Sequence, residues 1–212
     1  MSPCSSVPEA AESVSRFTER PALQSSKTLR AAGVWTGAQQ TRLNVRHFEF
    51  TADEPHKVGG RDQGPTPMEY LAGAVNSCIT VVIDQLAARQ QLTLEDLQTY
   101  TLASQDTRGL AGTADVQPYA HAYRLQIAIT TPERDEHTLR QFAARAEHIC
   151  PAINLLRDAN TGLKVVWSFT EQPTAEAAER LSNAAVGYTE EHDAPKPFLT
   201  VTNADLAASV SA

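Results

Sequence analysis

The sequence predicts an α+β domain, and three observations carry that prediction. Residues 30–50 read as two short strands. A capped, broadly apolar helix runs from Pro67 to about Arg89. Further on, Tyr123, Leu125, Ile127 and Ile129 alternate with Ala122, Arg124, Gln126 and Ala128, the period-two signature of a strand.

The chain has 212 residues, 42% hydrophobic and 20% charged, which is enough for one large domain or two small ones with a real core. Net charge is −7 and the pI about 5.4. With no Lys/Arg cluster, nucleic acid and anionic membrane surfaces are poor partners. No apolar run is expected to reach the ~18 residues of a bilayer-spanning helix. MSPCSSVPEAAESVSRF lacks the basic-then-apolar pattern of a secretory signal, so the expected location is cytoplasmic.

Residues 1–28, rich in Ser, Ala, Glu and Pro, read as an N-terminal tail with a short helix at Glu9–Arg20. Cys4 falls in this tail, where no role is expected of it. The folded domain spans 29–170. Gly37 marks the turn between its first two strands. In the second strand Arg42, Asn44, Arg46, Phe48 and Phe50 share a face, because side chains alternate. Arg46 then either flanks a covered surface on its aliphatic stem or points its guanidinium into a pocket; phase alone favours the first. The stretch TADEPHKVGGRDQGPT, 51–66, is a loop broken by Pro55, Gly59, Gly60, Gly64 and Pro65. Its Gly-Gly pair lacks the spacing of a dinucleotide fingerprint.

Thr66-Pro67-Met68-Glu69 fits a capping box, with Thr66 as N-cap, Pro67 as first helical residue and Glu69 reaching back. In the helix that follows, Leu71, Val75, Cys78, Val82 and Leu86 recur at three- and four-residue steps. Ala72, Ala74, Ile79 and Ile83 widen that stripe, as in a largely buried central helix. A strand at 97–107, a loop at Gly109–Pro118 and the strand His121–Thr131 come next. A helix starting near Asp135 presents Leu139, Phe142, Ala143, Ala146 and Ile149. It should break at Cys150, because Pro151 bars its predecessor from the α region, and PAINLLRDAN begins another helical turn or two. Leu163, Val165, Trp167 and Phe169 mark the last strand. Residues 171–212 shift to Ala, Glu, Thr and Pro. They read as a C-terminal extension with a helix at Thr174–Asn183 and otherwise a tail, or a segment lying on the surface or on a partner.

Three cysteines, Cys4, Cys78 and Cys150, do not make a disulfide scaffold; in a reducing compartment such thiols are more often catalytic, redox-active or metal-binding. No CxxC, HxxxH, GxSxG, P-loop or HExxH is present, and His47, His56, His121, His137, His148 and His192 are dispersed. No metal and no cofactor are therefore expected. Cys78 lies on the apolar stripe of its helix, where a small packed residue is the plain reading. To act as a reagent it needs a cation from elsewhere: Arg46, Arg42, Arg61 or His148. Cys150 lies beside the free N–H groups and positive dipole end of the helix starting at Pro151, which is expected to lower its thiol pKa.

Together, DEPHKVGGRDQGPTPMEYLAGAVNSC and, about seventy residues later, HICPAINLL resemble the OsmC/Ohr family, the osmotically inducible protein C and organic hydroperoxide resistance proteins, in an OsmC-like branch. The order of segments over about 30–170 is similar as well. The resemblance implies an α+β fold in which an N-terminal β-hairpin and antiparallel sheets pack around a long central helix, assembled as an intertwined homodimer. It implies a thiol peroxidase acting on organic hydroperoxides, with Cys78 attacking the peroxide, Cys150 closing a disulfide onto it, and an external dithiol, lipoyl-type or similar, reducing that bond. In the better-studied branches an arginine from the N-terminal hairpin and a glutamate directly after the helix-starting proline hold the thiolate. Arg46 is the candidate arginine, with Arg42 and Arg61 as alternatives. The glutamate's place is taken by Met68. Glu69, the candidate acid, is one residue later and so turned by about 100°. The competing expectation is a non-catalytic dimer of the same fold that binds a small molecule or responds to redox state.

Overall fold

The computed structural model of the chain describes residues 27–173 and 196–210. The helices expected at Glu9–Arg20 and Thr174–Asn183, and Cys4, lie outside the described residues. Contacts divide the chain into Met1–Arg30, of which 27–30 are described and irregular, and Ala31–Ala212, which carries every element below.

The first sheet has three antiparallel strands, β1 (Ala32–Gly37), β2 (Gln40–Val45) and β3 (Phe48–Ala52), in that order. The single strand expected through residue 50 is instead a hairpin. Val45 pairs with Phe48 across a two-residue turn, and Arg46 there has φ 56°. The left-handed conformation is unusual for a bulky non-glycine residue, and nothing in the composition of NVRHFE announces a turn. The correction changes the faces. Leu43 lies opposite Phe50 and Arg42 opposite Thr51, so Trp35, Leu43, Val45, Phe48 and Phe50 share one face and Arg42, Asn44 and Glu49 the other. Arg46 belongs to neither.

The loop after β3 winds around Asp53. Its buried carboxylate accepts from Glu54 N (2.8 Å), Arg61 N (3.3 Å), Gln40 Nε2 (3.0 Å) and Gln63 N (3.2 Å). Burial opposes ionisation of Asp53, but these four donors outweigh it and hold the carboxyl below its usual range. Gly60 is required by close approach, since a Cβ there would sit 1.7 Å from the Glu54 carbonyl oxygen.

Helix α1 (Pro67–Gln90) starts at the expected capping box, with Glu69 N donating to Thr66 Oγ1 (3.2 Å) and Thr66 N to Glu69 Oε2 (2.7 Å). Tyr70 fixes it to the first sheet, donating to Thr51 O at 2.6 Å and packing on Phe50. The buried stripe is Val75, Ile79, Ile83, Leu86 and Ala87. Leu71 and Val81 are exposed, and Cys78 and Val82 lie at the stripe's edge. The expectation that no apolar segment reaches bilayer length fails here. α1 is long and apolar enough to cross a membrane by length and composition, with 28% of its most apolar window buried. It packs on β4, α3 and α4 along its buried stripe.

The second sheet contains β4 (Asp96–Ser104), β5 (Ala122–Thr130), β6 (Gly162–Thr170) and β7 (Leu199–Thr202), in that order. β4 ends at Ser104, short of the strand expected to residue 107, and a short helix, α2 (Thr107–Ala111), straddles the expected strand end and the start of the expected loop. β5 and β6 run parallel, so the sheet is mixed rather than antiparallel throughout. A parallel pair needs a long crossover, and α3 (Glu136–Ile149) and α4 (Pro151–Asp158) supply it. Their apolar faces pack with α1 against Leu125, Ile127, Ile129, Val165, Trp167 and Phe169.

Residues 199–202, within the stretch expected to be a tail or a surface-lying extension, are instead a strand of this sheet. β7 pairs antiparallel with β6, with Val201 fully buried. It is followed by α5 (Asn203–Val210). The Asn203 amide accepts from Val165 N (3.0 Å) and donates to Leu163 O (3.1 Å), so a side chain continues the ladder where the strand ends.

Gly60→Ala should destabilise the domain by about 1–3 kcal/mol through backbone displacement. Denaturant unfolding checks it, and a variant as stable as the parent would contradict the Glu54–Gly60 approach.

Candidate active site

Cys78 and Cys150 meet. Helix α1 carries Cys78 about three turns after its start at Pro67. The α3–α4 joint carries Cys150, which ends one helix and caps the next with extended backbone (φ −75°, ψ 114°). Its N–H closes α3 on Ala146 O (3.0 Å) and its carbonyl opens α4 by accepting from Asn154 N (3.1 Å). The Asn154 side chain donates to Glu147 O (3.2 Å), His148 O (2.9 Å) and Cys150 O (2.9 Å). It thereby satisfies the Glu147 and His148 carbonyls, which the break at the proline leaves without intrahelical partners. The Cys150 Sγ then donates to Cys78 Sγ across 3.7 Å.

The two thiols differ in access. Cys150 is fully buried and Cys78 half-buried. Cys78 opens on a hollow of about 260 Å³ bounded by Leu71, Ala74, Val75, Pro151, Leu155 and Leu156, and every lining side chain is apolar apart from the thiol. Burial pushes the Cys150 thiol up to about 11, and the neighbouring Cys78 sulfur adds to that, while the N–H groups of Ile153 and Ala152 oppose it and lose. The lowered pKa expected from the helix N-terminus is thus corrected: desolvation outweighs the two amides.

Arg46 and Glu69 are not brought to the thiols within the chain. Arg46, at the β2–β3 turn, lays its guanidinium over the Phe48 ring, 4.9 Å from its centre. Glu69 is engaged in the capping box and faces a separate hollow with Asp62, Gly73 and Asn76. Met68 packs against the core. Of the alternatives, Arg42 lies 3.8 Å from Glu49 on the first sheet. Among the described residues no hydrogen bond or ion pair joins Cys78 to Arg42, Arg46, Arg61 or His148.

The sequence reading missed Glu147 and Asn154. Glu147 falls four residues after Ala143 on the apolar side of α3, and a carboxylate in that phase was the available signal. Trp167 Nε1 donates to its Oε1 (2.8 Å) and Arg157 pairs with its other oxygen.

Comparison with known proteins agrees with this architecture. A family model described as OsmC-like protein matches residues 60–165, and the chain belongs to that family. No curated protein sequence matches. Similar solved structures include an OsmC-like protein from Mycoplasma pneumoniae (19% identity, TM-score 0.59, covering 68% of this chain and 97% of that one). An OsmC-like protein from Vibrio cholerae has 14% identity and a TM-score of 0.55, covering 68% of this chain and 99% of its own. An organic hydroperoxide resistance protein from Elizabethkingia anophelis has 15% identity and a TM-score of 0.52, covering 69% and 99%. At these identities the likeness is one of fold.

The Cys150 shift fixes a sign. A thiol whose folded pKa lies above its unfolded value of about 8.5 stays protonated in the native state while the unfolded chain ionises. Its contribution to stability is complete below that pH and is lost as pH rises toward about 11. Unfolding followed from pH 8 upward should show a decline that Cys150→Ala lessens. An equal slope in that variant would contradict the assignment.

Proposed function

We propose that the protein is a cytoplasmic, homodimeric thiol peroxidase that reduces organic hydroperoxides. The observation carrying this reading is the pair of sulfurs 3.7 Å apart with unequal access. Cys78, open to the apolar hollow, attacks the peroxide O–O bond as thiolate. It becomes a sulfenic acid and releases the alkoxide, which takes a proton to leave as the alcohol. Cys150 then attacks the sulfenic sulfur, and a disulfide forms with loss of water. The sulfurs need only close to about 2.05 Å. An external dithiol reduces the disulfide by exchange and is itself oxidised. The apolar lining favours an alkyl or aryl hydroperoxide over hydrogen peroxide.

The dimer is supported by what one chain leaves uncovered. Trp35 is 76% exposed, Phe48 49%, Val81 54% and Leu155 66%. These lie on the first sheet, α1 and α4, and exposed apolar surface of this kind marks interfaces. A second copy laying its first sheet against α1 is also the route by which Arg46 reaches a partner's Cys78.

One observation favours a second reading, a non-catalytic dimer of the same fold. Met68 stands where the family pattern has an acid, and it is packed into the core, while Glu69 is spent on the cap.

Cys78→Ser should abolish hydroperoxide-dependent dithiol oxidation, and Cys150→Ser should leave a trappable sulfenic acid on Cys78. Cumene-type hydroperoxide should be turned over faster than hydrogen peroxide. No turnover in the parent with several dithiols would favour the second reading, and unchanged turnover in Cys78→Ser would overturn Cys78 as the nucleophile. For the dimer, a Cβ at Gly73 meets nothing within 4 Å among the described residues. Alanine should therefore stabilise an isolated α1 by about 1 kcal/mol. If a second copy packs there, Gly73→Ala should weaken self-association in sedimentation; a more stable variant with parental association would place the interface elsewhere.

A further inference from the structure

Glu147 is the least expected residue near the thiols. It is 3% exposed, on the apolar side of α3. It also lies in the last turn, where the carbonyl end of the helix disfavours a negative charge. Burial pushes its carboxyl up, against the pull of Trp167 and Arg157. A leucine would pack in its place without these costs, and a buried ion pair is weak as a source of stability. What the carboxylate does that leucine cannot is join three elements. One oxygen accepts from Trp167 Nε1 on β6, and the other pairs with Arg157 in the last turn of α4. Its own backbone carbonyl accepts from Asn154, in the middle of α4. Cys150 is three residues away, at the joint these bonds close.

We propose that Glu147 is a positioning residue for disulfide closure: clamped to Trp167 and Arg157, it holds the α3–α4 joint so that Cys150 Sγ faces Cys78. It does not touch the hollow where the peroxide would enter, so it acts on the second step and not on the first. The inference rests on reading Cys78 and Cys150 as a redox pair. It is independent of which oxidant the pair meets.

Two measurements test it on the full chain. One is the equilibrium of the Cys78–Cys150 pair with reduced and oxidised glutathione, which reports the effective concentration of one thiol at the other without any peroxide. The other is single-turnover oxidation by cumene hydroperoxide, with loss of peroxide and lifetime of the Cys78 sulfenic acid followed separately. Glu147→Gln should lower the effective concentration and lengthen the sulfenic acid lifetime by about tenfold or more, as expected for a small misplacement of a reacting group. Its rate of peroxide loss should match the parent. Trp167→Phe should move the same way by less, and Arg157→Lys should recover part of what Arg157→Met loses. Parental closure in a folded Glu147→Gln would overturn the proposal. So would equal slowing of both steps, which marks a general structural role. If Glu147→Gln does not fold, the Trp167 and Arg157 variants decide by the same criteria. If the parent ignores peroxide yet forms the disulfide with glutathione, the peroxidase reading fails and the glutathione arm decides this one. A parent that forms no disulfide by either route overturns both.

Discussion

A proline one residue after a cysteine organises the chemistry of this fold. Pro151 has no N–H to donate and keeps Cys150 out of the helical region, so α3 must stop and α4 must start at the same residue. In an unbroken helix a side chain at that position would follow the stripe of its neighbours. At the joint, Cys150 takes φ −75° and ψ 114° and its sulfur points at α1. The break leaves the Glu147 and His148 carbonyls without helical partners, and the Asn154 side chain donates to both. The crossover between parallel strands β5 and β6 is thereby a bent pair of helices whose elbow meets Cys78.

That elbow also gives the two thiols unequal access. Both belong to one apolar cluster, yet Cys150 is closed off while Cys78 looks into the hollow. Desolvation favours the protonated form of Cys150, and its Sγ donates to Cys78 Sγ. On the proposed reading, the accessible sulfur reacts first and the buried one follows.

Much of this was legible in the sequence because it depends on strong local rules. The capping box at Thr66, the break at Pro151 and the alternation of β5 are each set by a few adjacent residues. What was illegible depended on weaker or distant information. The β2–β3 turn at Arg46 and His47 uses residues with no turn preference, so the parity of the strand was carried through it and Arg42 was placed on the wrong face. The stripe on α1 was broad enough that its buried centre, Val75–Ile79–Ile83, could not be told from its edge, where Cys78 lies. The parallel pairing of β5 with β6 and the addition of β7 at the sheet edge are tertiary choices that leave no local mark. The Cys150 pKa was misjudged because a helix N-terminus is visible in sequence and the depth of its burial is not.

The first sheet remains to be connected to the site, and electrostatics supplies the argument. A thiolate beside Leu71, Val75 and Leu155 loses water and gains little from an S–H donor, which is weak. A full positive charge is the remaining means of holding it, and the lining of the hollow supplies none. On the proposed reading that charge comes from outside the chain. Arg46 is suited to deliver it. It stands at a turn, at the end of a sheet that leaves Trp35 and Phe48 exposed, with its guanidinium resting on Phe48 and, among the described residues, in no ion pair with a carboxylate. Docking that face on a second copy would bury Phe48 and carry the arginine with it. The same step would then cover the apolar surface and complete the site. Assembly and activation would be one event, and the pairing of Cys78 with Cys150 would already be in place before it.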